Sequence, residues 1–220
     1  MTVNIFIQAR MSSSRYPGKV LAPVFGIPLI KNLVDRAQQV KNKNKVIVLT
    51  SAEISDDPLA VFLKSIHCEV FRGPLSNVFG RFQEALSQYP CEYFVRLCGD
   101  SPFIDPSLIQ TIIEKGVEGK YDLISNVFGK KFPKGQAVEM VRSSVFKAVN
   151  SSELTEEERE HVIPYFYKHR EMYRTIFFEL INDMSHINQC IDTLEDIKNI
   201  QAKSSQYFFD ENNLCVMKKN

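Results

Sequence analysis

Three cations, three hydroxyls and a proline–glycine turn fall within ten residues near the amino end: Arg10, Ser12, Ser13, Ser14, Arg15, Pro17, Gly18 and Lys19. Such a loop can grip a polyphosphate, because fixed positive charges neutralise it while free backbone N–H groups bond its oxygens. The same composition also suits a solvated basic loop on a surface. The stretch is not a glycine-rich P-loop, since Gly18-Lys19 is followed by Val20 and no glycine stands five positions before Gly18. Phosphates here would be held mainly by side chains, with a metal ion supplying the rest of the charge balance.

Carboxylates able to hold such an ion are sought just past buried strands. Asp100 stands in Cys98-Gly99-Asp100-Ser101-Pro102, directly after the apolar run Tyr93–Leu97. An aspartate there is either a turn former or a ligand for a hard cation. Asp105, before Pro106, reads as a helix cap. Asp192 ends the run Gln189-Cys190-Ile191-Asp192 and precedes Thr193-Leu194-Glu195-Asp196, a capping box. Two carboxylates at strand ends facing a cationic loop would seat a divalent ion between protein and phosphates.

Residues this far apart meet only if the intervening chain stacks its strands. Val3–Ile7, Lys45–Thr50, Cys68–Phe71, Tyr93–Leu97 and Asp122–Asn126 read as short buried strands. Between them lie helical patterns over about 29–40, from Ser55-Asp56-Asp57-Pro58 through Leu63, over about 75–88, and over 107–116. This alternation predicts an α/β fold, a Rossmann-like, doubly wound and mostly parallel sheet. Right-handed crossovers then bring the loops after Ile7 and Leu97 to one edge, where open α/β sheets bind ligands. After residue 126 the rhythm becomes a smaller α+β part: a turn feeding a strand near Val138–Val141, one helix over Glu153–His169, an aromatic strand over Met172–Leu180, a strand over Gln189–Asp192, and a helix to about Lys203. The tail from Ser204 reads as peripheral.

Bulk properties set outer limits. The 220 residues can bury one substantial core, and 44% hydrophobic with 24% charged residues is ordinary globular composition. A net charge of +1, without a basic stripe interleaved with aromatics, argues against nucleic acid as a partner. Five scattered cysteines without a C-x-x-C pair read as reduced thiols, not a disulfide framework or zinc site. With no signal peptide and no apolar run of membrane length, the expectation is a cytoplasmic protein with no membrane partner.

The run Ile7-Gln8-Ala9-Arg10-Met11-Ser12-Ser13-Ser14-Arg15-Tyr16-Pro17-Gly18-Lys19-Val20-Leu21 resembles the opening of cytidylyltransferases that activate acidic sugars, the KDO and acylneuraminate synthetases. It most resembles the SpsF-like, spore-coat polysaccharide branch. The same branch is echoed by Ser55–Ala60, Glu69–Val78, Arg96–Pro106, Arg159–Tyr165 and Ile191–Asp196, in order over roughly residues 3–200. The KDO branch usually has glutamine where this chain has Cys98, which favours the SpsF-like reading.

The resemblance implies one nucleotidyltransferase domain over 1–203 that transfers CMP from CTP to a small acidic sugar or related acceptor, with release of pyrophosphate. It implies Mg²⁺ held by Asp100 and Asp192, with Lys19, Arg15, Arg10 and Asp100 as the catalytic set. Ala9, Arg10, Met11, Ser12, Ser13, Ser14, Arg15, Lys19, Arg72, Arg81 and Asp100 would bind the nucleotide, and Gln136, Glu139 and His161 the acceptor. A homodimer is a further family expectation. One departure concerns the acceptor: Pro133-Lys134-Gly135-Gln136-Ala137-Val138-Glu139 has Ala137 where the branch carries aspartate. Rival readings are a nucleotidyltransferase using another NTP or a sugar phosphate, and a catalytically silent nucleotide-binding paralogue.

Overall fold

In the computed structural model, which describes residues 1–202 and 211–219, the chain alternates strands and helices through its first half. In order these are β1 Val3–Gln8, the two-residue strands β2 Pro23–Val24 and β3 Ile27–Pro28, α1 Leu29–Gln38, β4 Lys45–Ser51, α2 Asp57–Ser65, β5 Glu69–Gly73, α3 Val78–Gln88, β6 Tyr93–Cys98, α4 Pro106–Gly119 and β7 Leu123–Ser125. The second half contributes β8 Glu139–Arg142, α5 Ser143–Ala148, α6 Glu156–His161, α7 Pro164–Lys168, β9 Thr175–Leu180, α8 Leu194–Ala202 and β10 Leu214–Lys219.

Eight strands form one sheet in the order β10-β9-β7-β8-β6-β1-β4-β5. Pairs β1–β4, β1–β6, β4–β5 and β7–β9 are parallel; β8, inserted between β6 and β7, runs antiparallel to both, as does β10 to β9. Side-chain alternation along the central strands loads both faces. Ile5, Ile7, Val48 and Val95 join the cluster that holds Leu33 and Ala37 of α1, Leu59 of α2 and Ile112 of α4. Phe6, Ile47, Leu49 and Phe94 meet Phe79 and Phe82 of α3, Phe146 of α5 and Phe166 of α7. The doubly wound prediction therefore holds, and the strands after residue 126 extend the same sheet.

Three local expectations are corrected. The single helix expected over Glu153–His169 is two, with a reversal at Val162 (φ 72°). Pro164 has no N–H to continue the α6 ladder and suits the first position of a new helix, so α7 starts afresh there. The strand expected at Gln189–Asp192 is not formed; the segment is held by an isolated bridge of Lys134 with Asn188 and by Ile191 N–H on the Asp100 carbonyl at 2.8 Å. The predicted tail is described only over 211–219, where Leu214–Lys219 is the outermost sheet strand. Lys203, the expected end of α8, lies outside the described residues, as do 204–210 and 220. The capping signals fare better. Thr193 Oγ1 accepts from Asp196 N–H at 3.3 Å while Asp196 Oδ2 accepts from Thr193 N–H at 2.8 Å, and Asp105 caps α4 through Ser107 N–H at 2.8 Å.

Candidate active site

The loops after β1 and β6 leave the sheet side by side, because Ile7 pairs with Leu97 and Gln8 with Cys98 in parallel register. Gly99 donates its N–H to the Gln8 carbonyl at 2.8 Å, and a Cβ there would lie 2.7 Å from that oxygen and 2.8 Å from Ala9 Cβ. Glycine is thus what allows Asp100 to sit against the cationic loop. That loop curls on itself: the Met11 carbonyl accepts from Ser13 N–H at 2.9 Å and Gly18 N–H at 2.8 Å. The curl is anchored from outside by Asp56, whose Oδ1 accepts from Met11 N–H at 2.7 Å and whose Oδ2 accepts from Thr50 Oγ1 and Ser51 N–H, both at 2.9 Å. Burial works against the Asp56 charge, but these bonds prevail and hold its pKa below the ordinary value.

The anchored loop delivers Lys19 to the two carboxylates. Lys19 Nζ lies 2.8 Å from Asp192 Oδ1, 2.9 Å from the Ile191 carbonyl oxygen and 3.8 Å from Asp100 Oδ2. Arg15 Nη2 reaches the same Asp192 oxygen at 2.7 Å. Lys19 is 8% exposed as a residue, whereas the Asp100 and Asp192 side chains are 30% and 29% exposed. The carboxylates can therefore face a ligand from the open side while the lysine holds them from behind.

They line a cleft of about 300 Å³, together with Ala9, Arg10, Ser13, Ser14, Arg81 and Arg96. Its far wall is the end of α6, where Glu160 pairs with Arg10 Nη2 at 3.1 Å and His161 faces the opening. Just beyond, Ile163 N–H reaches back to the His161 carbonyl at 2.8 Å around Val162 (φ 72°, ψ −53°). This is a γ-turn of the rare strained hand, and on a β-branched residue. Arg81 is 1% exposed and donates to the Pro74 carbonyl at 2.7 Å and the Leu75 carbonyl at 3.0 Å. Burial draws its pKa down to about 10.

Beneath the cleft lies a second polar group, of which the sequence singles out Glu139 alone. Arg96 donates from Nη1 to Glu139 Oε2 and from Nη2 to Gln8 Oε1 at 3.1 Å. Tyr167 donates its hydroxyl to Glu139 Oε1 and shares a 2.7 Å hydrogen bond with Ser125 Oγ. Arg96 lies within a mostly apolar strand run and Gln8 is a neutral strand-end residue, so their types alone give no functional signal. A register argument pairing Gln8 with Cys98 would have found both. Ser55-Asp56-Asp57-Pro58 offers a helix N-cap, but Asp56, which stands at that position, makes no side-chain cap bond and turns inward to the loop. Glu160 was passed over beside His161.

Several expected contacts are reassigned. Arg72 is absent from the cleft lining; its guanidinium is committed to the Ser51 and Glu53 carbonyls at 2.9 and 2.8 Å and to Asp57 at 2.7 Å, a brace between β5 and α2. Gln136, expected at the acceptor, is fully buried: Oε1 accepts from Asp105 N–H at 2.9 Å, and Nε2 donates to the Phe103 carbonyl and Gln189 Oε1, both at 2.8 Å. A neutral amide that is donor and acceptor at once suits a three-way junction of loops. Glu139 gives both oxygens to Arg96 and Tyr167, so it acts on the cleft through Arg96. Ser12 and Met11 lie outside the lining, the Met11 backbone being bonded within the loop and to Asp56, and Ala137 lines a different cavity, near Asn126 and Lys134.

The donor set at the cleft fits a hard divalent ion. Asp100 and Asp192 offer half-open carboxylates, and the Lys19 ammonium between them is a cation standing where an ion would balance charge. Cys190 adds a third donor atom, and the three donor atoms lie within 4.8 Å of one another. No described helix is long and apolar enough to cross a membrane.

A family model described as cytidylyltransferase matches residues 4–218. The spore coat polysaccharide biosynthesis protein SpsF of Bacillus subtilis is 32% identical over 205 residues, covering 89% of this chain and 83% of SpsF. Among solved structures, a cytidylyltransferase from Leptospira borgpetersenii superposes with a TM-score of 0.87 at 30% identity, covering 92% of this chain and 86% of that one. A CMP:2-keto-3-deoxy-manno-octonic acid synthetase complexed with CTP superposes at a TM-score of 0.71 and 18% identity, covering 92% of this chain and 98% of that one; at that identity it speaks for the fold.

Proposed function

The chain belongs to the cytidylyltransferase family and is a nucleotidyltransferase, and from that premise we propose that it transfers CMP from CTP to an oxygen of a sugar or sugar acid destined for a surface polysaccharide. The observation that carries this reading is Lys19, 2.8 Å from Asp192 and 3.8 Å from Asp100, in a cleft that Arg10 and Arg15 also line.

In the proposed reaction the acceptor oxygen attacks the α-phosphorus, the bond from that phosphorus to the β-phosphate oxygen breaks, and pyrophosphate leaves with the electron pair. Arg10, Arg15 and Lys19 bind the triphosphate and stabilise the charge that grows on the leaving group. Ser13 and Ser14 add hydroxyl donors on the same rim. Asp100 and Asp192 would hold Mg²⁺, which when bound neutralises phosphate charge and aligns the chain of phosphates. Arg96, fixed by Glu139 and Gln8, offers its remaining N–H groups to the deep end of the cleft. His161 is placed on the acceptor wall to receive the hydroxyl proton. Catalysis then rests on positioning and electrostatics.

The test is pyrophosphate release with each of the four NTPs across sugars, sugar acids and sugar phosphates, with and without Mg²⁺. Turnover confined to CTP with a non-phosphorylated sugar or sugar acid, and abolished by EDTA, is expected. Turnover with another NTP, or only with sugar phosphates, would replace the nucleotide or acceptor assignment. CTP binding by calorimetry without turnover on any acceptor would mark a silent paralogue.

A further inference from the structure

Cys190 is a soft donor grouped with the Asp100 and Asp192 carboxylates, while a second thiol, Cys98, stands in the cleft lining itself. It sits two residues before Asp192, and both side chains are half-buried while Ile191 between them is fully buried. The segment is clamped throughout. Cys190 N–H donates to Asn188 Oδ1 at 3.0 Å, and Ile191 N–H donates to the Asp100 carbonyl at 2.8 Å. Gly135 (φ 91°) presses so close that a Cβ would lie 2.9 Å from the Cys190 nitrogen. The Cys190 sulfur and one oxygen each of Asp100 and Asp192 all lie within 4.8 Å of one another. Donors sharing a four-coordinate ion stand roughly 3.5 Å apart, given metal–oxygen and metal–sulfur bonds of about 2.1 and 2.3 Å. Small rotations about the side-chain bonds span the difference. The Lys19 ammonium, bonded to Asp192 and to the Ile191 carbonyl, shows that a cation is already stabilised beside this triad.

We propose that Cys190 Sγ is a third protein ligand to a divalent ion held by Asp100 and Asp192, so that the centre selects thiophilic ions such as Zn²⁺, Co²⁺ and Cd²⁺ over Mg²⁺. This rests on the metal-dependent reading of the same cleft. Magnesium takes oxygen ligands and gains nothing from sulfur, whereas zinc, cobalt and cadmium gain a strong bond. On ligation the thiol proton passes to solvent and the metal–sulfur bond forms, with no change of oxidation state. The consequence is a nucleotidyltransferase that runs with Mg²⁺ and is held in an altered coordination by trace zinc or cadmium, because sulfur occupies a position that phosphate oxygen or water would otherwise fill.

The experiment is a Co²⁺ titration of the nucleotide-free protein, read by absorption, with wild type, Cys190→Ser and Cys98→Ser in parallel. A sulfur-to-cobalt charge-transfer band in the near ultraviolet is expected for wild type and Cys98→Ser and lost in Cys190→Ser. Competition with Zn²⁺ should show affinity lower by at least about tenfold in Cys190→Ser, with Mg²⁺ affinity unchanged. Visible cobalt bands without the charge-transfer band, or a band that survives in Cys190→Ser, overturn the sulfur ligand and leave a two-carboxylate site standing. No cobalt binding to wild type overturns the metal centre itself. Should Cys190→Ser not fold, alkylation of Cys190 in the wild-type protein with and without Zn²⁺ reads the same contact. Protection by Zn²⁺ and not by Mg²⁺ supports it; equal labelling refutes it.

Discussion

Two cation–carboxylate groups occupy the cleft, one at its mouth and one at its floor, and they use similar side chains for opposite ends. At the mouth, Lys19 and Arg15 crowd on Asp192 and Asp100, whose side chains stay about 30% open to solvent. At the floor, Arg96 and Glu139 are 11% and 6% exposed, and both Glu139 oxygens are spoken for by Arg96 and Tyr167. A half-open pair loses little when it trades partners, since water and incoming ligand replace what is given up. A sealed pair cannot trade, because a lone charge in its place would be uncompensated. The mouth is therefore built to exchange ions and the floor to hold a shape.

This contrast predicts that stability and activity separate. Glu139→Ala strands the Arg96 charge and frees the Tyr167 hydroxyl, and should cost about 3–5 kcal/mol in urea unfolding. Equal melting of variant and wild type would show that the floor is not sealed. Lys19→Ala should do the reverse, lowering turnover at least ~100-fold, the scale of one lost partner to developing charge. Its urea midpoint should move less than that of Glu139→Ala, because the carboxylates it releases are already about 30% exposed although Lys19 itself is buried; an equal loss of stability would make the mouth a structural pair too. Between these extremes stands Asp56, buried but bonded to backbone and hydroxyls. Asp56→Ala leaves the Met11 and Ser51 N–H groups unpaired and should cost about 2 kcal/mol, loosening the cationic loop with it.

The Asp56 prediction carries a pH signature. Its folded pKa is held below the ordinary 3.8, so the folded state binds that proton less readily than the unfolded chain. The stabilisation is whole above the ordinary value and fades as pH falls through the lower, folded one. Acid unfolding of wild type and Asp56→Ala should converge at low pH. Parallel curves would show that the carboxylate is not what the loop leans on.

What the sequence disclosed follows from how far each signal reaches. The parallel core was legible because apolar runs such as Lys45–Thr50 and caps such as Asp105 and Thr193 act over a few residues. Lys19, Asp100 and Asp192 were legible as residue types just beyond strands, though Lys19 and Asp192 are 173 positions apart and only the fold joins them. Gln136 and Arg72 bond neighbouring backbone and side-chain groups, and their residue types do not disclose this, for a common reason. A polar side chain in a loop looks the same whether it bonds a ligand or neighbouring carbonyls, and only the fold decides which. The Arg96–Glu139 pair escaped notice because it depends on the register of β6 against β8, an antiparallel neighbour that the alternating pattern did not foretell.

The reversal at Val162 has a consequence for how the α6 wall of the cleft can evolve. A β-branched residue at φ 72° is under about 1–3 kcal/mol of backbone strain, yet its side chain is wholly buried. Glycine there would relax the first quantity while forfeiting the second, and the two are of similar size. Val162→Gly should melt within about 1 kcal/mol of wild type while letting Glu160 and His161 swing. Thermodynamic tolerance and geometric intolerance would then coincide at one position, where a natural lineage could retune its choice of acceptor without first having to become more stable.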